Sequence, residues 1–386
     1  MTGRTNWRLV LLLWAAGLGA AAQYGKISVV FDRLPQVYPE AGTALGFAVS
    51  LVGALGIVLG IVAGVLVSQI GYRRAILWAL IAGALMSALQ AFFPPLPVFL
   101  ATRVVEGATH LALVVALPTF IAQISSDADR GVTMTLWGTF FGVAFAVLAW
   151  AGLPLVDRWG IASLMGAHAM FMAAMAGILW RALPRIAPDQ TPDAGHRDVM
   201  RAHLRLYGSA RIGAPALGWL FYTICFVSVL TVMPAYLPEG SRAFTVGAMP
   251  LMSILSSLTL GVWLMRRSSP VTVIVTGFAA CAGAAIGLWL LPGSVALALA
   301  LGAALGLVQG ATFAAVPELN TPIEDRALAN GGLAQMGNLG NTSGTPLMVA
   351  LIAGWGYGGM MTALVALFIG GALVHLWLAA RRLESR

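Results

Sequence analysis

Charge is scarce in this chain of 386 residues: 9% are charged, 59% are hydrophobic, and the mean hydropathy is +0.88. Two or three soluble domains would normally fit this length, and the composition excludes them; the chain reads as a polytopic membrane protein. Lysine is almost absent, with Lys26 the single one and every other cation an arginine. Cysteine is limited to Cys225 and Cys281, both inside apolar runs where a thiol behaves as a small hydrophobe, so neither a disulfide framework nor a metal site follows. No Gly-x-x-x-x-Gly-Lys-Ser/Thr run occurs, which leaves ATP-driven transport without support. The histidines, His110, His168, His196, His203 and His375, lack metal-ligand spacing, and no soluble catalytic domain accompanies them. The chain is therefore read as neither an enzyme nor a cofactor protein. A receptor without flux is the other reading from a different class.

What is abundant is apolar sequence. Windows near 20 residues, long enough to cross a hydrocarbon core of about 30 Å, fall at 9–34, 44–68, 75–93, 97–123, 131–154, 160–181, 213–236, 245–265, 270–291, 294–316, 328–353 and 357–380. All are expected to be helices, because backbone in lipid must satisfy its own hydrogen bonds. The N-terminus mimics a cleavable signal peptide, but cleavage would leave an odd number of spans, so it is read as the first span.

The formal charge of +8 is not a nucleic-acid signature, since the arginines are spread between apolar runs. Counting from the N-terminus, one side collects Arg4, Arg8, Arg73, Arg74, Arg130, the arginines from 181 to 211, Arg266, Arg267, Arg326, Arg381, Arg382 and Arg386. The other side has Arg33, Arg158 and Arg242. That imbalance orients both termini to the cytoplasm, in what is expected to be a bacterial cytoplasmic (inner) membrane.

The longest polar connection, about residues 182–212, divides the chain into an N-terminal bundle (1–181) and a C-terminal bundle (213–386). Its stretch from Asp198 to Arg211 reads either as a surface helix whose arginines meet anionic lipid headgroups or as a plain solvated linker. The halves echo each other. Glu106-Gly107-Ala108-Thr109-His110 recurs as Gln309-Gly310-Ala311-Thr312-Phe313, and Asp129-Arg130 recurs as Asp325-Arg326, which points to an internal duplication.

Twelve helices in six plus six resemble the major facilitator superfamily, and local motifs support the resemblance. Gly64, Gly71, Arg73 and Arg74 match the family's loop motif after the second span, while Ser68 and Gln69 stand where an aspartate and a basic residue are usual. Arg103-Val104-Val105-Glu106-Gly107 is similar to the family's Arg-x-x-Gln-Gly pattern, with glutamate for glutamine. The resemblance implies an all-α membrane protein of twelve transmembrane helices in two pseudo-symmetric six-helix bundles, working by alternating access. The loop residues Gly64, Ser68, Gly71, Arg73 and Arg74 would form its gating element.

Ionisable residues inside spans default to function, because a charge near mid-membrane costs about 2.5–3.5 kcal/mol on insertion scales. Lys26 lies roughly 27 Å along the first span from Arg8, and nothing in the sequence breaks a helix before Leu34. It either snorkels to the interface or holds a ligand together with Gln23 and Tyr24. Arg103, Glu106, Gly107 and His110 share one helical face; they form either a self-neutralising ion pair beside a packed imidazole or a site at which Glu106 and His110 titrate. The C-terminal half offers neutral groups. Gln309, Tyr222 and the stripe of Gln335, Asn338 and Thr342 either line a cavity or glue helices together.

Two intramembrane cations against one acid favour a secondary transporter of a small, anionic organic solute, with Lys26 and Arg103 attracting the charge and protons or another ion coupling. A proton-driven exporter of lipophilic compounds is the alternative. The expected partners are the solute, the coupling ion and membrane lipids, with a monomer as the working unit.

Overall fold

The computed structural model describes residues 4–60, 63–184 and 196–384, and its regular elements there are helical throughout. Among the described residues, eleven helical stretches are long and apolar enough to cross a membrane; the last, Glu324–Glu384, is broken at Gly356 (φ 62°) and supplies two passages. Only glycine adopts that left-handed geometry without strain, so the break falls in the short gap between the last two apolar windows. Twelve passages result.

Several spans depart from the sequence-based expectation: the second, expected as one helix over 44–68, starts at Pro39 and is 3-10 over Pro39–Leu45 and Leu51–Gly53, and the first and eighth differ as well. The first is not continuous to Leu34: its α-helix, Trp7–Ser28, ends with Ser28 Oγ donating to Tyr24 O (3.1 Å), and a separate 3-10 turn, Phe31–Arg33, follows. Two consecutive β-branched residues, Val29 and Val30, stand at the break, with Val30 out of helical geometry at φ −111°, ψ 14°. Lys26 therefore sits in the last helical turn, where the C-terminal carbonyls favour a cation. The eighth span starts at Glu239 rather than 245, because a hydropathy window omits the polar turn that Glu239 and Arg242 make outside the hydrocarbon.

By mutual packing the chain forms two units: Met1–Ala41 with Leu51–Gly56 and Val62–Ala194, and Gly42–Ser50 with Ile57–Ile61 and Gly195–Arg386. In the first unit, the first, third, fourth and sixth spans (Trp7–Ser28, Tyr72–Gln90, Leu96–Ile124 and Ile161–Ala182) bury Leu13, Leu80, Leu117 and Met172 in a shared apolar core. In the second unit, the seventh span, Ala214–Val232, packs on the eleventh through glycines. A Cβ at Gly344 would strike the backbone of Ile224, and one at Gly340 the side chain of Thr223. Close approach of helices through small residues is how apolar spans associate where lipid offers no hydrophobic drive.

The duplicated motif repeats in three dimensions. A Cβ at Gly107 would lie 2.6 Å from Val52 O in the second span, and one at Gly310 would strike Ser257 in the eighth. Arg130 Nε donates to Ala122 O (3.4 Å) and Arg326 Nε to Asn320 O (2.8 Å), each closing the end of the preceding helix.

Of the central connection, residues 185–195 lie outside the described residues, and His196–Gly208 is a helix. Its Leu206 is buried against Ile212, Val316, Ala329 and Leu333, so apolar contact docks it on its own unit. Burial pushes the Tyr207 phenol up to about 12, and it donates to Gln335 Oε1 (2.6 Å).

The glycine geometry makes a stability prediction. Gly107→Ala should destabilise the protein by about 1–3 kcal/mol through backbone crowding. Gly283→Ala, with nothing within 4 Å of the added Cβ, should be neutral or stabilising by up to about 1 kcal/mol. Thermal unfolding of the two purified variants in detergent checks the contrast.

Candidate functional site

Moving along the four helices of the first unit past their apolar core, polar side chains replace leucines on the same inward faces. Lys26, Ser87, Arg103 and Glu106 have no solvent exposure, and His168 has 5%. Lys26 has not snorkelled to an interface. Its Nζ donates to Glu106 Oε1 at 2.6 Å and to Ser87 Oγ at 2.5 Å. Arg103 pairs with the other carboxylate oxygen, Glu106 Oε2, one helical turn away on the fourth span, and also donates to Gln23 O.

One carboxylate thus bridges two cations, and the three side chains together carry one positive charge. Buried charges survive only when paired and hydrogen-bonded, and the neighbours supply those bonds. Gln90 Nε2 donates to Glu106 Oε2 (2.7 Å) and to Thr102 Oγ1 (2.8 Å), while Gln23 Nε2 donates to Thr109 Oγ1 (2.6 Å). His168 Nε2 faces Gly19 O at 2.9 Å, which makes it the N–H that donates and leaves Nδ1 to accept from Ser87 Oγ at 2.7 Å. Three buried atoms around the cluster have no protein partner: Gln23 Oε1, Tyr24 OH and Gln90 Oε1.

The structure brings together most of the N-terminal residues singled out from sequence, with one exception. His110 does not join the charges: Nδ1 faces Ala20 O at 3.0 Å and its ring meets Tyr24 edge-on at 5.1 Å. The imidazole that reaches the cluster is His168. Within the sixth span it lacks the charged neighbours at helical spacing that single out His110, and its one signal is that of an ionisable residue inside a span. Ser87 and Gln90 are neutral residues in an apolar helix and gave no comparable sign.

In the second unit, Tyr222 OH donates to Gln309 Oε1 (3.2 Å), with Ser253 Oγ at 3.4 Å. Tyr222 stacks between Trp219 (4.3 Å) and Phe226 (5.3 Å), and Phe313 meets Trp219 at 5.3 Å. Gln335 and Asn338 do not join this group. Gln335 Nε2 donates to Ile57 O (3.0 Å), and Asn338 Nδ2 turns back to Ala334 O on its own helix (2.8 Å).

In the loop before the third span, Gly71 adopts φ +88°, a backbone geometry that L side chains rarely adopt. Arg73 then crosses to the end of the sixth span, donating to Trp180 O (2.9 Å) and Leu183 O (3.2 Å), carbonyls that the helix leaves unpaired. Ser68 is buried, Gly64 is exposed with open space about it, and Arg74 is exposed.

The charge arithmetic predicts an order of stabilities. Glu106→Gln leaves two buried cations around an amide and should cost about 3–5 kcal/mol, whereas Lys26→Met leaves the neutral Arg103–Glu106 pair and should cost less. Thermal unfolding in detergent should rank wild type, Lys26→Met and Glu106→Gln in that order. A Glu106→Gln protein as stable as wild type would show that the carboxylate does not neutralise these cations.

Among curated proteins none matches the chain in sequence. Among solved structures, the D-xylose–proton symporter is similar with a TM-score of 0.76 at 17% identity, covering 96% of this chain and 97% of that one. A variant of the E. coli fucose:proton symporter follows at 0.67 and 16% identity, covering 98% and 99%. A major facilitator superfamily transporter in the outward conformation gives 0.67 and 15%, covering 96% and 98%. At such identities the likeness is one of fold. The family model described as Major Facilitator Superfamily matches residues 9–320. The chain is a membrane transporter and belongs to the major facilitator superfamily.

Proposed function

We propose that the protein is a proton-coupled secondary transporter of a small organic anion, working by alternating access in a bacterial cytoplasmic membrane with both termini in the cytoplasm. The observation that carries this reading is the Glu106 carboxylate held between Lys26 and Arg103. A solute carboxylate has the same chemistry as Glu106 and competes for the same two cations. Once displaced, Glu106 is neutralised by a proton, since an unpaired carboxylate in a dry interior is prohibitively costly. The cluster then holds two cations and one anion, as it did before the solute arrived. Anion and proton therefore travel together without adding charge to the interior.

The unpartnered Gln23 Oε1, Tyr24 OH and Gln90 Oε1 support the reading, because they are acceptors and a hydroxyl that an entering solute or proton carrier would satisfy. His168, reached through Ser87, is the imidazole we assign to proton handling, ahead of His110. In the second unit, Trp219, Tyr222 and Gln309 form a separate group that offers stacking and neutral hydrogen bonds.

A second reading, symport of a neutral polyhydroxylated solute, is favoured by the uncharged character of that second group and by the two sugar–proton symporters of similar fold. The exporter of lipophilic compounds calls for an acid-lined cavity, and the one acid of this cluster is already spoken for by two cations.

Transport in proteoliposomes separates these. Labelled carboxylates should accumulate under an inward proton gradient and labelled sugars should not. Glu106→Gln should lose gradient-driven accumulation yet keep solute exchange, and Lys26→Ala should lose both by about tenfold or more. Sugar uptake without carboxylate uptake would replace the anion reading with the second one, and unchanged transport by Lys26→Ala would remove Lys26 from the mechanism.

A further inference from the structure

A groove of about 760 Å³ runs between the third and sixth spans on the surface of the first unit, lined by none of the side chains of the charge cluster. Its walls are apolar along most of their length, with Leu85 and Met170 exposed on either side. Its floor is recessed because the sixth span presents Ala169, Ala173 and Gly177 there. The third span lines it from Arg74 to Ala88, roughly 21 Å of helix, which exceeds the hydrocarbon depth of one leaflet at about 15 Å.

One end of the groove is different. Arg73 and Arg74 line it, with Trp78 one turn further along the third span and Trp180 opposite. Both indoles are outward, at 69% and 57% exposure, in the position that membrane-interface tryptophans take. Arg181 stacks on Trp180 at 5.6 Å. Arg73 is committed to the carbonyls of Trp180 and Leu183, whereas Arg74 has no hydrogen-bond or ion-pair partner among the described residues. Among the described residues no acidic side chain lines the groove. The groove lined by Val275 and Leu376 in the second unit differs on that point, since Glu318 stands in it beside Arg211 and Arg382.

From this pairing of a leaflet-length apolar trough with guanidinium groups at one end that no carboxylate among the described residues pairs, we infer that the groove binds an acidic phospholipid. Its acyl chain lies along the recessed floor, and its phosphate is bound by Arg74 and Arg181 beside the two tryptophans. Each basic group near a membrane surface adds on the order of fivefold to acidic-lipid affinity. A phosphate held there sits against the Arg73 contact that ties the loop to the end of the sixth span, so the lipid is a clamp on that junction.

Native mass spectrometry and thermal unfolding of the full-length protein, titrated with phosphatidylglycerol, phosphatidylcholine or inorganic phosphate, test the site. Phosphatidylglycerol should be retained and stabilise the protein. Arg74→Ala should weaken retention by about fivefold and Arg74→Ala with Arg181→Ala by about 25-fold, while Arg74→Lys keeps most of it. Arg267→Ala, a basic residue stacked on Trp263 outside the groove, should change nothing. Equal retention of phosphatidylcholine, equal loss in Arg267→Ala, or stabilisation by inorganic phosphate alone would each overturn the assignment.

Discussion

Glu106 is the constraint from which the N-terminal unit follows. Placing two cations in a membrane interior is tolerable only if an anion and enough hydrogen-bonding groups lie within reach of both, and a carboxylate has two oxygens to share between them. Oε1 takes the ammonium and Oε2 the guanidinium. That division dictates which helices must meet: the first brings Lys26, the fourth brings both Arg103 and Glu106, the third brings Ser87 and Gln90, and the sixth brings His168. These are the helices that also build the apolar core, so one four-helix contact serves packing at one depth and charge compensation at another.

The duplication shows what was kept and what was changed. In both halves a glycine lets the helix press on its neighbour, and in both the residue before it faces inward across the same kind of contact. Only the chemistry differs, with glutamate at 106 and glutamine at 309. Since the amide carries no charge, its surroundings need no cations, and Tyr222 and Ser253 suffice. A small change in side chain thus separates a unit that must balance charge from one that need only satisfy neutral hydrogen bonds.

Much of this was legible in sequence because membrane interiors permit few exceptions. Span count, the break near Gly356, the duplicated motifs and the shared face of Arg103 and Glu106 follow from rules with large penalties, whereas the same rules leave Lys26 either buried or snorkelled. What was not legible had small ones. The helix break after Ser28 depends on local backbone preference, which two valines and a serine bias by little. Whether His110 or His168 reached the charges turned on which face of each helix met the first span, and a lone histidine in an apolar run carries no such direction. Gln335 was grouped with Asn338 by spacing, but the linker helix, docked through Leu206, takes its amide by way of Tyr207.

The hydrogen bonds around Ser87 add a final consequence. Its hydroxyl has one proton, and two acceptors lie within reach, Glu106 Oε1 at 3.0 Å and His168 Nδ1 at 2.7 Å. While His168 donates through Nε2 to Gly19 O, the Ser87 proton belongs to the imidazole, and Glu106 relies on its cations and Gln90. If His168 takes a proton on Nδ1, it becomes a donor there and the serine must turn toward Glu106. Proton position at the sixth span and hydrogen bonding at the fourth are therefore linked through a single rotatable hydroxyl. No backbone movement is needed to pass that information across the cluster.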